Sequence, residues 1–168
     1  MKNDVKNKRC IISGVDISEL SFCYNEDSYE CQDVKTALLN EVVKFHRAGV
    51  EEFYTDCSYG FPLWGGEIVT GLMKYNDIRL YVIFPHEEKP YKYASNWQDR
   101  FYKVHELCTD VIPMYVLFSG ESQEVLEKKA ADYMLADCKR LLFCGNPNGS
   151  YLYEEACKDN YDITILKL

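Results

Sequence analysis

Short apolar runs alternate with helical patterns along the whole chain, and this alternation limits the fold more than any other feature of the sequence. The clearest run is Leu80–Phe84, and the clearest helical pattern places Trp97, Phe101, Val104 and Cys108 on one face. Apolar runs separated by helices are typical of βαβ units and a mostly parallel sheet. We therefore predict strands at residues 10–13, 53–55, 80–84, 111–118, 140–144 and 163–166.

The predicted fold class is α/β, with a single doubly wound, mostly parallel, Rossmann-like sheet of about six strands. No repeat or Pro/Gly/Ser-rich linker divides the 168 residues, so we expect one domain over residues 1–168, with residues 1–8 as a flexible N-terminal lead. No apolar run approaches the roughly eighteen residues of a membrane span. Because residues 1–9 also lack the character of a signal sequence, we expect a cytoplasmic protein.

The charge balance limits the expected partners. The chain has 27 acidic and 19 basic residues and a formal net charge of −8, whereas a protein that binds mainly nucleic acid phosphates needs a basic face. Nucleic acid is therefore not the expected partner. A small phosphorylated ligand stays open, because backbone N–H groups at a helix N-terminus can bind an anion without a basic surface.

The cysteines are predicted to be reduced thiols. Their spacing is irregular, no Cys-x-x-Cys pair occurs, and several lie inside apolar runs, where cysteine behaves as a small hydrophobe. The three histidines are not at ligand spacing from a cysteine or from one another, so we expect no metal and no other cofactor. The eight cysteines are Cys10, Cys23, Cys31, Cys57, Cys108, Cys138, Cys144 and Cys157.

The turn after the second predicted strand is the first candidate site, since ligands of open parallel sheets bind beyond the carboxyl ends of the strands. Asp56–Gly60 leads into a helix, so its N–H groups can bind an anion, although an ordinary tight connection would use the same glycine. Trp64 either stacks on a nucleobase or packs in the core, and Glu67 suits a sugar hydroxyl or a base N–H. A lowered pKa would make Cys57 nucleophilic, but no histidine lies near it in the sequence.

A second strand-to-helix turn contains Asn146, Gly149 and Ser150. Ser150 either caps the next helix or donates its hydroxyl to a phosphate oxygen. Glu154 is either an acid or base near a sugar or an ordinary first-turn carboxylate that the helix dipole favours. No Ser-His-Asp, Gly-x-Ser-x-Gly, P-loop or His-Glu-x-x-His motif occurs, so the residues by themselves indicate no particular reaction.

Three segments of the chain resemble the YpsA-type branch of the SLOG superfamily, which unites Rossmann-like domains related to the DNA-processing protein DprA and to the lysine-decarboxylase-like LOG proteins. These segments are Ser13-Gly14, Thr55–Glu67 and Gly149-Ser150. The order of elements agrees over residues 9–168. The branch is typified by a Ser-Gly-rich turn, a Gly-x-acid-x-Trp-x-x-Glu helix start, an aromatic-rich region after the third strand and a late Gly-Thr turn.

Individual residues of the chain either match the pattern of the YpsA-type branch or depart from it. Asp56 and Cys57 replace the Ser-Gly of the phosphate-binding turn, and Pro62 replaces the acid of the helix start. The LOG-type hydrolase motif Pro-Gly-Gly-x-Gly-Thr-x-x-Glu is reduced to Pro147–Ser150, with Glu154 one position late. The residues that match the branch are Gly60, Trp64, Glu67, Pro85, Trp97 and the pair Gly149-Ser150, which stands where Gly-Thr is usual.

The resemblance implies that the chain binds a small nucleotide or nucleotide-sugar derivative at the carboxyl end of the sheet, in a sensing or processing role. The alternatives are a nucleoside-5′-phosphate glycosidase with Glu67 and Glu154 as catalytic carboxylates, and an interaction protein without a ligand. We favour binding because the hydrolase motif is incomplete, and we expect no membrane association and a homodimer, as in related folds. The expected ligand-binding residues are Ser13, Gly14, Asp56, Cys57, Ser58, Gly60, Trp64, Glu67, Pro85, Trp97, Asn146, Gly149 and Ser150.

Overall fold

A computed structural model describes residues 2–22 and 24–168. The strands are β1 Arg9–Gly14, β2 Glu52–Thr55, β3 Arg79–Phe84, β4 Asp110–Pro113, β5 Arg140–Cys144 and β6 Asp162–Leu166. The α-helices are α1 Lys2–Asn7, α2 Tyr29–Arg47, α3 Phe61–Leu72, α4 Ser95–Leu107, α5 Met114–Leu117, α6 Gln123–Asp137 and α7 Tyr151–Lys158. Two short 3-10 helices lie at Ile17–Glu19 and Lys89–Lys92.

The six strands form one parallel sheet in the order β4-β3-β2-β1-β5-β6. The predicted α/β class and the Rossmann-like sheet are therefore confirmed. The chain extends the sheet from β1 to β4 on one side and then returns to the other side of β1 for β5, so the strand order reverses between β1 and β5. Right-handed crossovers place α2, α3 and α4 on one face and α6 and α7 on the other, and the helices of each group pack together.

The central strands are apolar because helices cover both faces of the sheet. In β1, Cys10, Ile11 and Ile12 are buried, and Leu141–Cys144 of β5 are buried beside them. Helix α3 approaches β1 very closely, since a Cβ atom on Gly65 would lie 2.6 Å from Ile12 Cγ2. This approach fixes the N-terminus of α3 at the carboxyl edge of the sheet.

The predicted fourth strand, residues 111–118, is wrong at its C-terminal end. Strand β4 ends at Pro113, and Met114–Leu117 forms the short helix α5. Pro113 has no N–H to donate to a sheet, and it is the last residue of β4 to pair with β3, opposite Phe84. The β-branched and aromatic residues that follow look strand-like in sequence, but the edge of the sheet gives them no further pairing.

Seven of the cysteines are free thiols in this structure, and the eighth, Cys23, lies outside the described residues. Helix α1 occupies residues 2–7 of the expected N-terminal lead, and the extent of the domain over residues 1–168 stays a prediction. In the described part of the chain, no helix combines the length and the apolar character needed to cross a membrane.

Candidate functional site

A pocket of about 790 Å³ opens at the carboxyl edge of the sheet, where open parallel sheets bind their ligands. The pocket is lined by Asp16 from the loop after β1 and by Ser58 and Tyr59 from the loop after β2. Further lining residues come from the segment 89–97, which follows β3. Glu127 reaches the pocket from α6, which belongs to the other helical layer. The pocket therefore depends on four separate segments that only the sheet topology brings together.

Four aromatic side chains line this pocket and contact one another. The stacked rings of Tyr59 and Tyr93 have centroids 4.7 Å apart, the Tyr24 ring lies 5.4 Å from Tyr59, and Trp97 packs edge-on against Tyr59. The Tyr93 hydroxyl accepts a hydrogen bond from the Tyr59 backbone N–H, and burial raises the pKa of Tyr93 to about 12. This hydroxyl is therefore neutral at neutral pH. We call Tyr24, Tyr59, Tyr93 and Trp97 the aromatic wall.

A buried lysine joins the charged side chains of the pocket. Lys89 is only 3% exposed, and its Nζ donates to Asp56 Oδ2 at 2.9 Å and to Glu127 Oε2 at 3.1 Å. Glu127 Oε1 in turn lies 3.2 Å from His86 Nε2. We call Lys89, Asp56, Glu127 and His86 the Lys89 cluster; it links the loops after β2 and β3 to α6.

Attraction between opposite charges decides the protonation of Lys89 and Asp56, and burial decides that of His86. Burial by itself would lower the pKa of Lys89 and raise that of Asp56, but each group favours the charged form of the other. The pKa of Lys89 is therefore raised and that of Asp56 is lowered. Burial lowers the pKa of His86 despite its contact with Glu127, so His86 is neutral at neutral pH.

The hydrogen bond to Glu127 also determines the tautomer of His86. Since an ionised carboxylate only accepts hydrogen bonds, the neutral ring donates from Nε2, and Nδ1 is an acceptor. Nδ1 is buried, and no described residue donates a hydrogen bond to it. The ring is therefore held as a donor to Glu127, and Glu127 receives hydrogen bonds from two fixed side chains.

Two equivalent turns follow the adjacent strands β1 and β2. In each, an aspartate accepts a 2.9 Å hydrogen bond from the backbone N–H of the serine two residues later and a 2.6 Å hydrogen bond from its hydroxyl. The residues are Asp16 and Ser18 in one turn and Asp56 and Ser58 in the other. A bridge between Asp16 and Gly60 places the turns side by side. Gly60 has φ 108° and ψ −129°, a conformation open to glycine, and it leads directly into α3.

Comparison with known proteins identifies the family. A family model for YpsA, described as "YspA SLOG family", matches residues 10–167. The chain belongs to this SLOG family. It is also 24% identical over 164 residues to a "UPF0398 protein" of Streptococcus mutans serotype c (strain ATCC 700610 / UA159), covering 93% of this chain and 90% of that protein. The predicted YpsA-type SLOG membership is thus confirmed.

Several of the residues that the family resemblance indicated lie at the carboxyl edge. Ser58 and Trp97 line the pocket, and Asp56 contacts it through Lys89. Ser13 and Gly14 are the last two residues of β1 and pair with the end of β5, while Pro85 is buried directly after β3. These positions are compatible with the SLOG site, but contact with a ligand stays a prediction for each of them.

Cys57 does not have the environment of a nucleophile. Its side chain is fully buried, and burial together with the neighbouring carboxylate of Asp56 raises the pKa of the thiol well above its usual value. A nucleophilic cysteine needs the opposite shift. Cys57 also adopts a positive φ of 53°, so its backbone forms the turn while its thiol packs inside.

The Trp and Glu of the SLOG helix start do not line the pocket of the aromatic wall, although the Trp64 ring lies 6.4 Å from the Trp97 ring between centroids. Trp64 is 1% exposed and packs edge-on against Phe61 at 5.3 Å between ring centroids, which favours the core alternative over base stacking. Glu67 accepts two hydrogen bonds from Arg100, at 2.6 and 2.7 Å. The Arg100 guanidinium lies over the Trp97 ring at 4.4 Å, so Arg100 connects Glu67 to the aromatic wall.

The second predicted turn lies at the same edge but borders a different pocket. Asn146 and Gly145 line a pocket of about 490 Å³ together with Val15, whereas Asp16 lines the pocket of the aromatic wall. The segment after β1 therefore separates the two predicted turns. The Ser150 hydroxyl accepts a hydrogen bond from the Tyr153 N–H and caps α7. Of the two roles that the sequence left open for Ser150, the structure therefore shows the helix cap. Gly149 has a positive φ of 80° in the turn, and Glu154 is exposed on α7.

Sequence reasoning missed most of the charged residues of the pocket. Asp16 could have been found, because Asp16-Ile17-Ser18 repeats the Asp-x-Ser spacing of Asp56-Cys57-Ser58 after the neighbouring strand. Lys89 lies in a segment that follows a strand, but nothing local distinguishes a buried lysine from an exposed one. Glu127 has no local signal, since its position depends on the strand order. Among the described residues, no group of three or more Cys, His, Asp or Glu side chains is arranged to hold a metal ion.

Proposed function

We propose that the pocket of the aromatic wall binds a small nucleotide or nucleotide-sugar derivative, in a sensing or processing role in the cytoplasm. One observation carries this proposal: stacked aromatic rings, an exposed lysine and carboxylates share a single pocket at the carboxyl edge of the sheet. A nucleotide presents the matching groups, which are a flat base, sugar hydroxyls and a phosphate. Membership of the SLOG family supports the same ligand class. A homodimer stays a prediction.

The aromatic wall suits the base. Stacking of a base on an aromatic side chain contributes about 1–3 kcal/mol and tolerates any base, because every base has a π-face. Tyr24 is the exposed member of the wall, and Tyr59 and Tyr93 already stack behind it through their rings. A base that joins this stack would be held mainly by the ring of Tyr24 and by the edge of the Trp97 ring that lines the pocket.

The charges of the pocket suit a ligand with few phosphates. Lys89 is already paired with Asp56 and Glu127, whereas Lys92 is exposed and no described residue forms an ion pair with it. Lys92 is therefore the cation that can bind a phosphate. With Asp16 nearby, the carboxylates outnumber the ammonium groups, so a triphosphate would meet repulsion that a monophosphate or a nucleotide sugar would largely avoid.

Binding without base release is the form of the proposal that we favour. The carboxylates assigned to the glycosidase alternative are Glu67, which is hydrogen-bonded to Arg100, and Glu154, which is exposed on α7. Neither lines the pocket of the aromatic wall. We expect the wild-type protein to release no base from nucleoside monophosphates, and turnover above the level of a blank preparation would contradict this form of the proposal.

A pair of tyrosine variants tests the binding site. Calorimetric titration with nucleoside monophosphates and nucleotide sugars should give binding to the wild type, and Tyr24→Ala should weaken it about 5- to 150-fold, the equivalent of one lost stacking contact. Tyr75→Ala removes an exposed tyrosine that does not line the pocket, so it should leave the affinity unchanged. Equal affinities for both variants would reject this pocket, and no binding of any compound would reject the function.

A further inference from the structure

Glu127 differs from the other acid of the Lys89 cluster because it faces the pocket. Glu127 lines the pocket and its side chain is 39% exposed, whereas Asp56 lies behind Lys89 and is 21% exposed. Glu127 also comes from α6, on the opposite side of the sheet from the helices that follow β2 and β3. Its carboxylate therefore lies in a pocket whose other lining residues come from the segments after β1, β2 and β3, although α6 covers the opposite face of the sheet.

The carboxylate of Glu127 is held in one orientation before any ligand binds. Oε1 lies 3.2 Å from His86 Nε2 and 3.3 Å from Lys89 Nζ, and Oε2 lies 3.1 Å from Lys89 Nζ. A carboxylate has about four acceptor positions, so these three contacts leave about one position for a hydrogen bond from a ligand. His86 and Lys89 are both at least nine-tenths buried, so the surrounding residues hold their side chains in place, and they in turn hold the carboxylate of Glu127.

The surrounding charges indicate what kind of group Glu127 accepts. Asp16, Asp56 and Glu127 face Lys89 and Lys92 in this region, so a phosphate next to Glu127 would meet an excess of negative charge. A neutral hydrogen-bond donor, such as a hydroxyl group, would not meet this repulsion. In a nucleotide the sugar joins the base to the phosphate, so a carboxylate that shares a pocket with the aromatic wall and Lys92 is placed to meet the sugar hydroxyls.

We propose that Glu127 accepts a hydrogen bond from the 2′-hydroxyl of a ribose and makes the pocket selective for ribonucleotides over 2′-deoxyribonucleotides. Lys89 and His86 act as positioning residues that fix the carboxylate. This inference rests on the proposed function and deepens it, since it assigns a specificity-determining residue that carries no local sequence signal.

Paired titrations test the proposal. AMP, GMP, CMP and UMP are each titrated calorimetrically beside their 2′-deoxy counterparts. A hydrogen bond to a charged group contributes about 1.5–3 kcal/mol, so for the nucleotides that bind, the wild type should prefer the ribose form by about tenfold or more. In Glu127→Gln the preference should fall to about its square root, about threefold for a wild-type preference of about tenfold, because a neutral acceptor forms a bond roughly half as strong. The affinity for the deoxy form should change little.

The control is Glu124→Gln, an exposed glutamate one turn earlier on α6 that should keep the full preference. Affinity for the deoxynucleotide reports whether Glu127→Gln still folds; if it does not, Glu127→Asp, which keeps the charge but shortens the side chain, should show the same loss of preference. Binding without a ribose preference in the wild type, or an equal loss for both sugars in Glu127→Gln, would overturn the assignment and leave the proposed function standing. No binding of any nucleotide would overturn both.

Discussion

Replacing Lys89 by methionine should destabilise the protein strongly, although the two side chains have similar shape and volume. The substitution removes the ammonium that lies 2.9 Å from Asp56 Oδ2 and 3.1 Å from Glu127 Oε2. Breaking a buried ion pair costs about 3–5 kcal/mol, because the partner charge is left without compensation. Here water reaches both remaining carboxylates, which are 21% and 39% exposed. We therefore expect the lower end of that range, about 3 kcal/mol.

Urea unfolding at neutral pH measures this loss as a change in the free energy of unfolding. Lys92→Met is the matched control, since Lys92 belongs to the same 3-10 helix but is exposed, and it should change the free energy by less than about 0.5 kcal/mol. The double variant Lys89→Met/Asp56→Asn should recover about 1 kcal/mol or more, because it removes one of the two unpaired charges. A loss for Lys89→Met no larger than that for Lys92→Met would refute the reasoning.

Three further predictions concern stability and thiol chemistry. Because the pKa of Asp56 is lowered in the folded protein, its carboxylate stabilises the fold above its ordinary pKa of 3.8, and this contribution is lost as the pH falls from 3.8 through the lowered pKa; the difference in unfolding free energy between wild type and Asp56→Asn should therefore shrink in that acidic range. Trp64→Ala should lower the free energy of unfolding by about 3–5 kcal/mol, because the ring is buried in the core. All eight cysteines should react with a thiol reagent when the protein is unfolded without reductant.

Each of these predictions has a clear contrary result. If the difference in unfolding free energy between wild type and Asp56→Asn stays constant from neutral to acid pH, protonation of Asp56 does not contribute to the loss of stability in acid. A Trp64→Ala protein as stable as the wild type would contradict the core position of the ring. Fewer than eight reactive thiols in protein handled without air oxidation would indicate a disulfide in the native chain.

The fold could be predicted from local sequence because its strands are covered on both faces. Strand β5, predicted at residues 140–144, has these bounds in the structure, since its apolar run is buried by both helical layers. The prediction failed at β4, where Val111–Phe118 has the residue types of a strand but only Asp110–Pro113 pairs. An edge strand has one neighbour, so the end of its pairing depends on that neighbour and on Pro113 rather than on hydrophobic pattern.

The site was less accessible to sequence reasoning, because it depends on strand order and burial. The turn at Asp56 and Ser58 was found because it follows a strand directly and precedes a helix. Glu127 lies 71 positions beyond Asp56 on a helix of the other layer, and only the return of the chain to the far side of β1 explains why both contact Lys89. The core position of Trp64 likewise appears only when α2, α3 and α4 are packed together.

Tryptophan fluorescence is the most direct test of nucleotide binding in the pocket of the aromatic wall. The chain has two tryptophans; both are buried, at 4% exposure for Trp97 and 1% for Trp64, but only Trp97 lines the pocket. In Trp64→Phe, excitation at the red edge of the absorption band reports Trp97 alone. If a nucleotide binds in this pocket, it should quench the Trp97 emission saturably, with a much smaller change in Trp97→Phe. Unchanged Trp97 emission over nucleoside monophosphates and nucleotide sugars at millimolar concentration, or an equal change in both variants, would contradict nucleotide binding in this pocket.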